Sequence, residues 1–248
     1  MRPPLLYPLF AGIENLNGIG EKTAKLVRNL AGDKIVDLLW HLPSSIIDRR
    51  YSPRLANARI GSIVTVKIRV LEHIEPKLKK LPYKIVCTDG SEEITLSFFH
   101  AYPETLKRNL PEGSERVISG KLESFNGSLQ MSHPDYVGRP EEMDRIKTVE
   151  AVYPLTGGIT NKMINKYIRQ ALARVPKMPE WLDEHYRQAE DLPAFNEALA
   201  AVHNPQSDAD ILPSAPARRR LAYDEMLANQ LALALVREKV KKQQGREI

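Results

Sequence analysis

In the stretch ITLSFF, Ile94, Leu96 and Phe98 alternate as an apolar row, which leaves Phe99 on the face of Thr95 and Ser97. An aromatic ring on the polar face of a sheet offers a flat surface on which an unpaired base stacks, worth about 1–3 kcal/mol per base. The other reading is that Phe99 tucks under the following helix or a neighbouring domain. In IVTVKIRV, Val64, Val66, Ile68 and Val70 alternate with Thr65, Lys67 and Arg69, so an apolar face backs a basic one. Lys79, Lys80, Lys84 and Lys121 extend that basic character and, with Lys67 and Arg69, form a set able to track phosphates. Tyr102 and Phe125 are candidate stacking partners beside Phe99.

A second candidate lies near the start. LNGIGEKTAKLVRNL places Gly18 and Gly20 before a helical period, with Lys22 and Lys25 following. Leu-x-Gly-Ile-Gly before a helix is the pattern of a helix-hairpin-helix, in which glycines let backbone N–H groups approach a phosphate. An ordinary helical hairpin needing glycine for its turn fits equally well. Gly20-Glu21-Lys22-Thr23 is not a phosphate loop, because glycine must directly precede the lysine and Glu21 stands there.

Other chemistries lack their residues. The six histidines never fall at metal-ligand spacing with Cys87 or with one another, and read as surface or helix-end residues. No nucleophile elbow, paired-acid motif or dinucleotide glycine fingerprint occurs, and Asp224-Glu225 sits in a helical stretch. By elimination the chain binds something and catalyses nothing by itself.

The elements that must position these residues read as α+β, a five-stranded OB-fold barrel flanked by helical segments. After IVTVKIRV and a Lys/Pro-rich loop, YKIVC and ITLSFF meet around Asp89-Gly90-Ser91, a hairpin signal. A helical interlude from Tyr102 to Leu110 precedes RVISGKLESF and SLQMS, which flank the Asn126-Gly127 turn. This sets a helical module over 1–57, the barrel over 58–145, and a strand, turn and helical linker over 146–248. In the module, DKIVDLLWHL is a helix with Asp33 as its N-cap, burying Ile35, Leu38, Leu39 and Leu42. In Asp48-Arg49-Arg50 a local ion pair is expected. NKMINKYIRQALARV is an amphipathic helix. The last helix has a broad stripe including Leu221, Leu227, Leu231 and Leu235, and must pack on something. Arg218, Arg219 and Arg220 at its start face either a partner, a phosphate or solvent.

With 248 residues, 42% hydrophobic and 27% charged, the chain can bury one or two real cores. The net charge of +5 permits a nucleic-acid partner without requiring one. One cysteine makes no disulfide framework, and a reducing, cytoplasmic compartment follows as the default. No stretch approaches the ~20 apolar residues of a membrane helix, and MRPPLLYPLF is too short and proline-kinked for a signal peptide.

Taken in order, LNGIGEKTAKLVRNL, IVDLLWHLPSSIIDR, the Phe98-Phe99 pair, SGKLESFNGSLQMSHPDYV, VYPLTGGIT and RRRLAYDEMLANQLAL resemble the N-terminal part of RecG, the bacterial ATP-dependent DNA helicase family. The resemblance covers nearly the whole chain. It implies that the barrel is a wedge domain that splits the arms of a stalled fork while a two-lobed motor pulls duplex DNA. It also implies that Phe99 stacks on a base at the junction. A second aromatic of the family, a few residues later and before a leucine, would stand where this chain has Thr105, while Tyr102 lies nearer Phe99. The implied partners are branched DNA (forks and four-way junctions), single-stranded arms and helicase domains outside this chain. ATP and magnesium would belong to those domains, in a monomeric protein of recombination and repair. The rival from another class is a stand-alone single-stranded nucleic-acid-binding OB protein without catalysis; a third is a protein-docking module.

Overall fold

The structure is a computed structural model that describes residues 3–78, 80–99 and 102–243. The chain divides into two compact units, one of residues 47–150 and one of residues 1–46 with 151–248.

In chain order, 3-10 turns lead to helices α1 (Glu21–Leu30) and α2 (Ile35–Trp40), then strand β1 (Ser45–Asp48). Strands β2 (Ile63–Ile74), β3 (Tyr83–Thr88) and β4 (Glu93–Phe98) follow, then α3 (Pro103–Asn109). After α3 come β5 (Glu115–Lys121), β6 (Glu123–Phe125), β7 (Ser128–Ser132), β8 (Tyr136–Gly138), α4 (Met143–Ile146) and β9 (Val149–Val152). Helices α5 (Asn161–Leu172), α6 (Glu184–Ala189), α7 (Phe195–His203) and α8 (Pro216–Gln243) complete the described chain.

In the unit of residues 47–150 the ladder order is β6-β7-β4-β3-β2-β5-β8. The first long strand, β2, thus lies between β3 and β5, and β4 pairs in parallel with β7. That connectivity is the OB-fold, with helix α3 inserted after its third strand. The five expected strands are β2, β3, β4, β5 and β7. The run RVISGKLESF divides at buried Leu122 into β5 and β6, and β8 adds a short strand at the other end. Strand β2 offers one edge to each of two partners, and its register against β3 shifts between Val70 and Glu72. Its first half pairs with β5 and its second with β3, the bend a bulge supplies. Val64, Val66, Ile68, Val70, Ile85, Ile94, Leu96 and Ile118 fill the core, as the period of two requires. Strands β5 and β7 approach at Gly120, where a Cβ would lie 2.8 Å from Met131 Sδ, so only glycine fits without a shift. Residues 47–57, set with the helical module from sequence, fall in this unit, and Leu55 is buried in its core.

The other unit wraps α1, α2, α5, α7 and the start of α8 around Ile13, Val27, Ile35, Leu38, Tyr153, Ile164, Ile168, Leu199, Val202 and Leu221. Three expectations are corrected here, and one buried histidine stands out. The cap of α2 is made not by Asp33 but by Asp37, whose Oδ2 accepts from Lys34 N–H at 2.9 Å; Asp33 pairs instead with Lys34 Nζ at 3.2 Å. His203 ends α7, one of the two places expected for the histidines, and is buried there between the Tyr153 hydroxyl and the Leu39 carbonyl. The Arg218–Arg220 run faces neither phosphate nor solvent alone: Arg220 is fully buried, Arg218 donates to the Pro43 carbonyl, and Arg219 pairs with Glu190. On α8 only the first part of the stripe packs, since Leu221 is buried while Leu231 and Leu235 are exposed. No helix among the described residues is long and apolar enough to cross a membrane.

Candidate nucleic-acid interface

Phe99 lies one residue beyond β4, and its side chain is 45% exposed. Its neighbours divide as the alternation requires: Ile94 and Leu96 are buried and Phe98 packs against the core. Ser97, expected on a polar face, is nevertheless buried, and its carbonyl accepts from His133 N–H at 2.9 Å. His133 meets Phe99 twice. The Phe99 N–H donates to His133 Nε2 at 3.0 Å, and the two rings stack with centroids 5.8 Å apart and planes 30° from parallel. Because Nε2 accepts, the imidazole proton sits on Nδ1. Nothing in the composition or periodicity pointed to His133; only the pairing of β4 with β7 brings it there.

Tyr102 is 80% exposed and forms the N-cap of α3 through its carbonyl, which accepts from Thr105 and Leu106. Thr105 is exposed and contributes no ring. Phe125 is 59% exposed at the β6–β7 hairpin, where Asn126 and Gly127 both take left-handed backbone (φ 51° and 81°).

Pairing registers sort these residues into two ends of the sheet. Phe98 stands opposite Tyr83, and Lys84 stands opposite both Ser97 and Ile74, so Phe99 and Lys84 share the end of the sheet near Ile74. Arg69 is level with Thr88, which faces Glu93, and Leu129 is level with Ile94. Lys67, Arg69 and Phe125 therefore lie toward the opposite end, about 20 Å from Phe99 at the rise of a strand. Lys67 and Arg69 do point outward, yet they share Glu115: Lys67 Nζ is 2.8 Å and Arg69 Nη2 3.9 Å from its carboxylate. The hydrogen bond from Lys67 holds the Glu115 carboxyl below its ordinary range. These two cations line a groove of about 610 Å³ with Arg54, Thr88 and Gly90. Lys121 ends β5 opposite Ile63 and is exposed; Lys80 is exposed in the β2–β3 loop. Lys79 lies outside the described residues.

Gly18, Gly20 and Lys22 belong to the other unit. Gly18 takes φ 89°, a left-handed backbone that favours glycine, while the nearest atom to a Cβ there, Lys166 Nζ at 2.7 Å, ends a flexible side chain that could move. Gly20 has ordinary extended backbone and open space around its would-be Cβ, so its glycine is not imposed by packing. The turn is fastened to α5: Gln170 bonds both Asn17 N–H and Asn17 carbonyl, and the Tyr167 hydroxyl donates to the Gly18 carbonyl. Lys22 is exposed on the first turn of α1.

Arg49 is another residue that the sequence pattern missed. The expected ion pair of Asp48 forms with Arg50, while Arg49 is buried, donating to Glu150 (3.1 Å), Asp135 (3.0 Å) and Ser119 (3.2 Å) under the Tyr136 ring. Among the described residues no three His, Cys, Asp or Glu side chains gather as metal ligands.

Residues 12–175 match the RecG wedge domain family. The ATP-dependent DNA helicase RecG of Aquifex aeolicus is 26% identical across 96% of this chain and 32% of its own length. That of Bacillus subtilis is 30% identical across 93% of this chain and 33% of its own length. The chain thus spans about a third of these relatives. A solved structure of RecG bound to a three-way DNA junction superposes with a TM-score of 0.75 at 24% identity, covering 94% of this chain and 32% of that one. At that identity the superposition speaks for the fold.

Proposed function

The chain belongs to the RecG wedge domain family, and on that premise we propose that residues 47–150 recognise branched DNA and act as the strand-separating wedge of a longer ATP-dependent helicase. The observation that carries the reading is the half-exposed Phe99 ring, set off the core row at the end of β4. A ring so placed caps the last base pair of a fork by stacking, at about 1–3 kcal/mol per base. The nearby cation Lys84, and Lys80 on the adjoining loop, hold the phosphates of the same strand. Replication forks and four-way junctions are the substrates, and the work is recombination and repair. ATP and magnesium act in parts of the longer protein outside this chain.

The test is a titration of forked DNA and of linear duplex of equal length at one salt concentration, with wild type and Phe99→Ala. Wild type prefers the fork. Phe99→Ala weakens fork binding roughly ten- to hundredfold and leaves duplex binding nearly unchanged. Equal wild-type affinities for the two DNAs would overturn the reading.

A further inference from the structure

We propose that His133 is the positioning residue of the stacking platform, a ring that holds Phe99 in place for an incoming base. The inference rests on the wedge reading of Phe99 and deepens it. Phe99 lies beyond its strand, where no ladder partner fixes its backbone. His133, just past the end of β7, supplies what the ladder does not. Its N–H donates to Ser97 O and its Nε2 accepts from Phe99 N–H, so β4 is clamped on both sides of Phe98. To reach both bonds the backbone at His133 turns left-handed, with φ 47°. Such a conformation is sparsely used by residues other than glycine and tends to mark sites under functional constraint.

The ring itself goes further than the turn requires. It stands edge-on to Phe98, centroids 5.9 Å apart and planes at 81°, and it stacks on Phe99. Phe98 packs against the core, so the three rings form a continuous series from the barrel interior to the exposed platform. His133 is itself exposed, so its ring is not there to fill the core. A side chain that a base must stack on loses rotamer freedom on binding, and a ring already held in orientation loses less. Holding that orientation is the role assigned to His133.

The test is a double-mutant cycle on the whole chain with Phe99→Ala, His133→Asn and the pair. Each is titrated with forked DNA containing 2-aminopurine at the branch and with linear duplex. Asparagine tolerates the left-handed backbone and keeps an acceptor, so His133→Asn removes the ring and leaves the turn. His133→Gln serves as the second variant, and unfolding midpoints confirm that all are folded. The expected result is fork binding weakened about three- to tenfold by His133→Asn, smaller 2-aminopurine quenching, and no further loss in the double variant beyond Phe99→Ala. Wild-type fork binding by folded His133→Asn and His133→Gln, with Phe99→Ala impaired, would overturn the role of His133 and leave the wedge reading standing. Additive losses would make His133 an independent contact and likewise overturn its positioning role. An unimpaired Phe99→Ala would remove the wedge reading and this inference together.

Discussion

Arg220 and Glu180 meet fork to fork, with Arg220 Nη1 2.9 Å and Nη2 2.8 Å from the two Glu180 carboxylate oxygens. The same guanidinium donates through Nε to Asp224 at 2.8 Å and lies 5.2 Å from the Trp181 ring. The charge is fully buried, and it fastens the irregular segment after α5 to the start of α8. With Glu180 removed, the buried guanidinium keeps only Asp224 as a counter-charge.

Glu180→Ala should therefore cost about 1–3 kcal/mol of stability, below the range for a pair buried on both sides. The hydrogen bonds from Arg220 hold the Glu180 carboxyl down to about 2, against an ordinary 4.5. A carboxyl depressed in the folded state contributes stability that is present above the unfolded value and lost as pH falls through the folded one. Glu180 stays open to solvent, so screening discounts the contribution to about 1–2 kcal/mol, and it should fade between pH 4.5 and pH 2. Urea unfolding at pH 7, 4 and 2.5 measures it, and a Glu180→Ala chain with wild-type stability at pH 7 would refute the pair's importance.

His203 should produce a second acid transition at higher pH. Its ring accepts from or donates to Tyr153 Oη (3.0 Å) and donates to the Leu39 carbonyl (3.0 Å), and burial pushes its pKa down to about 4 from 6.5. The carbonyl can only accept, so Nε2 bears the proton and Nδ1 takes the tyrosine hydroxyl. The unfolded chain binds a proton that the folded chain refuses, so this stability is full above pH 6.5 and drains as pH falls toward 4. Between pH 7.5 and 5 the loss should be about 2 kcal/mol. In His203→Gln the slope across that window should flatten, and an unchanged slope would assign it elsewhere.

Cys87 is buried in the core of residues 47–150, and burial pushes its thiol up to about 12. Thiolate is the reactive form, so alkylation at pH 8 should be negligible in the native chain and fast in urea. The native rate then reports opening of this unit alone. Rapid labelling without denaturant would place the thiol nearer solvent than the packing does.

How much of this was legible beforehand follows from how far each cause reaches along the chain. The β2 core row and the Asn126-Gly127 hairpin are local: a period of two and a left-handed dipeptide suffice to specify them. Ile94 and Leu96 pointed inward for the same reason, and Phe99 could be singled out against them. Arg49, Arg220, His203 and His133 could not be read. Arg49 is buried by Ser119, Asp135 and Glu150, and His133 reaches Phe99 only through the parallel pairing of β4 with β7. Each depends on partners tens of residues away, and a charged or polar letter looks the same whether it is solvated or paired. The basic row of β2 was visible, but its neutraliser Glu115, on β5, was not.

That neutraliser sets the last prediction, which ranks the cations. Among the described residues Lys84 pairs with no carboxylate, and it stands opposite Ser97 at the platform's end of the sheet. Lys67 is held by Glu115 toward the other end. A cation released to a phosphate must first give up its carboxylate, so Lys67 offers less than its exposure suggests. Lys84→Ala should weaken binding to forked DNA and lower the slope of log affinity against log salt by about 1. Lys67→Ala should change both less. Glu115→Gln, which frees Lys67 and Arg69 without moving Lys84, should strengthen binding to every DNA alike and steepen the salt dependence. If Lys67→Ala instead flattens the slope while Lys84→Ala leaves it untouched, the phosphates run along the β2 groove rather than beside Phe99.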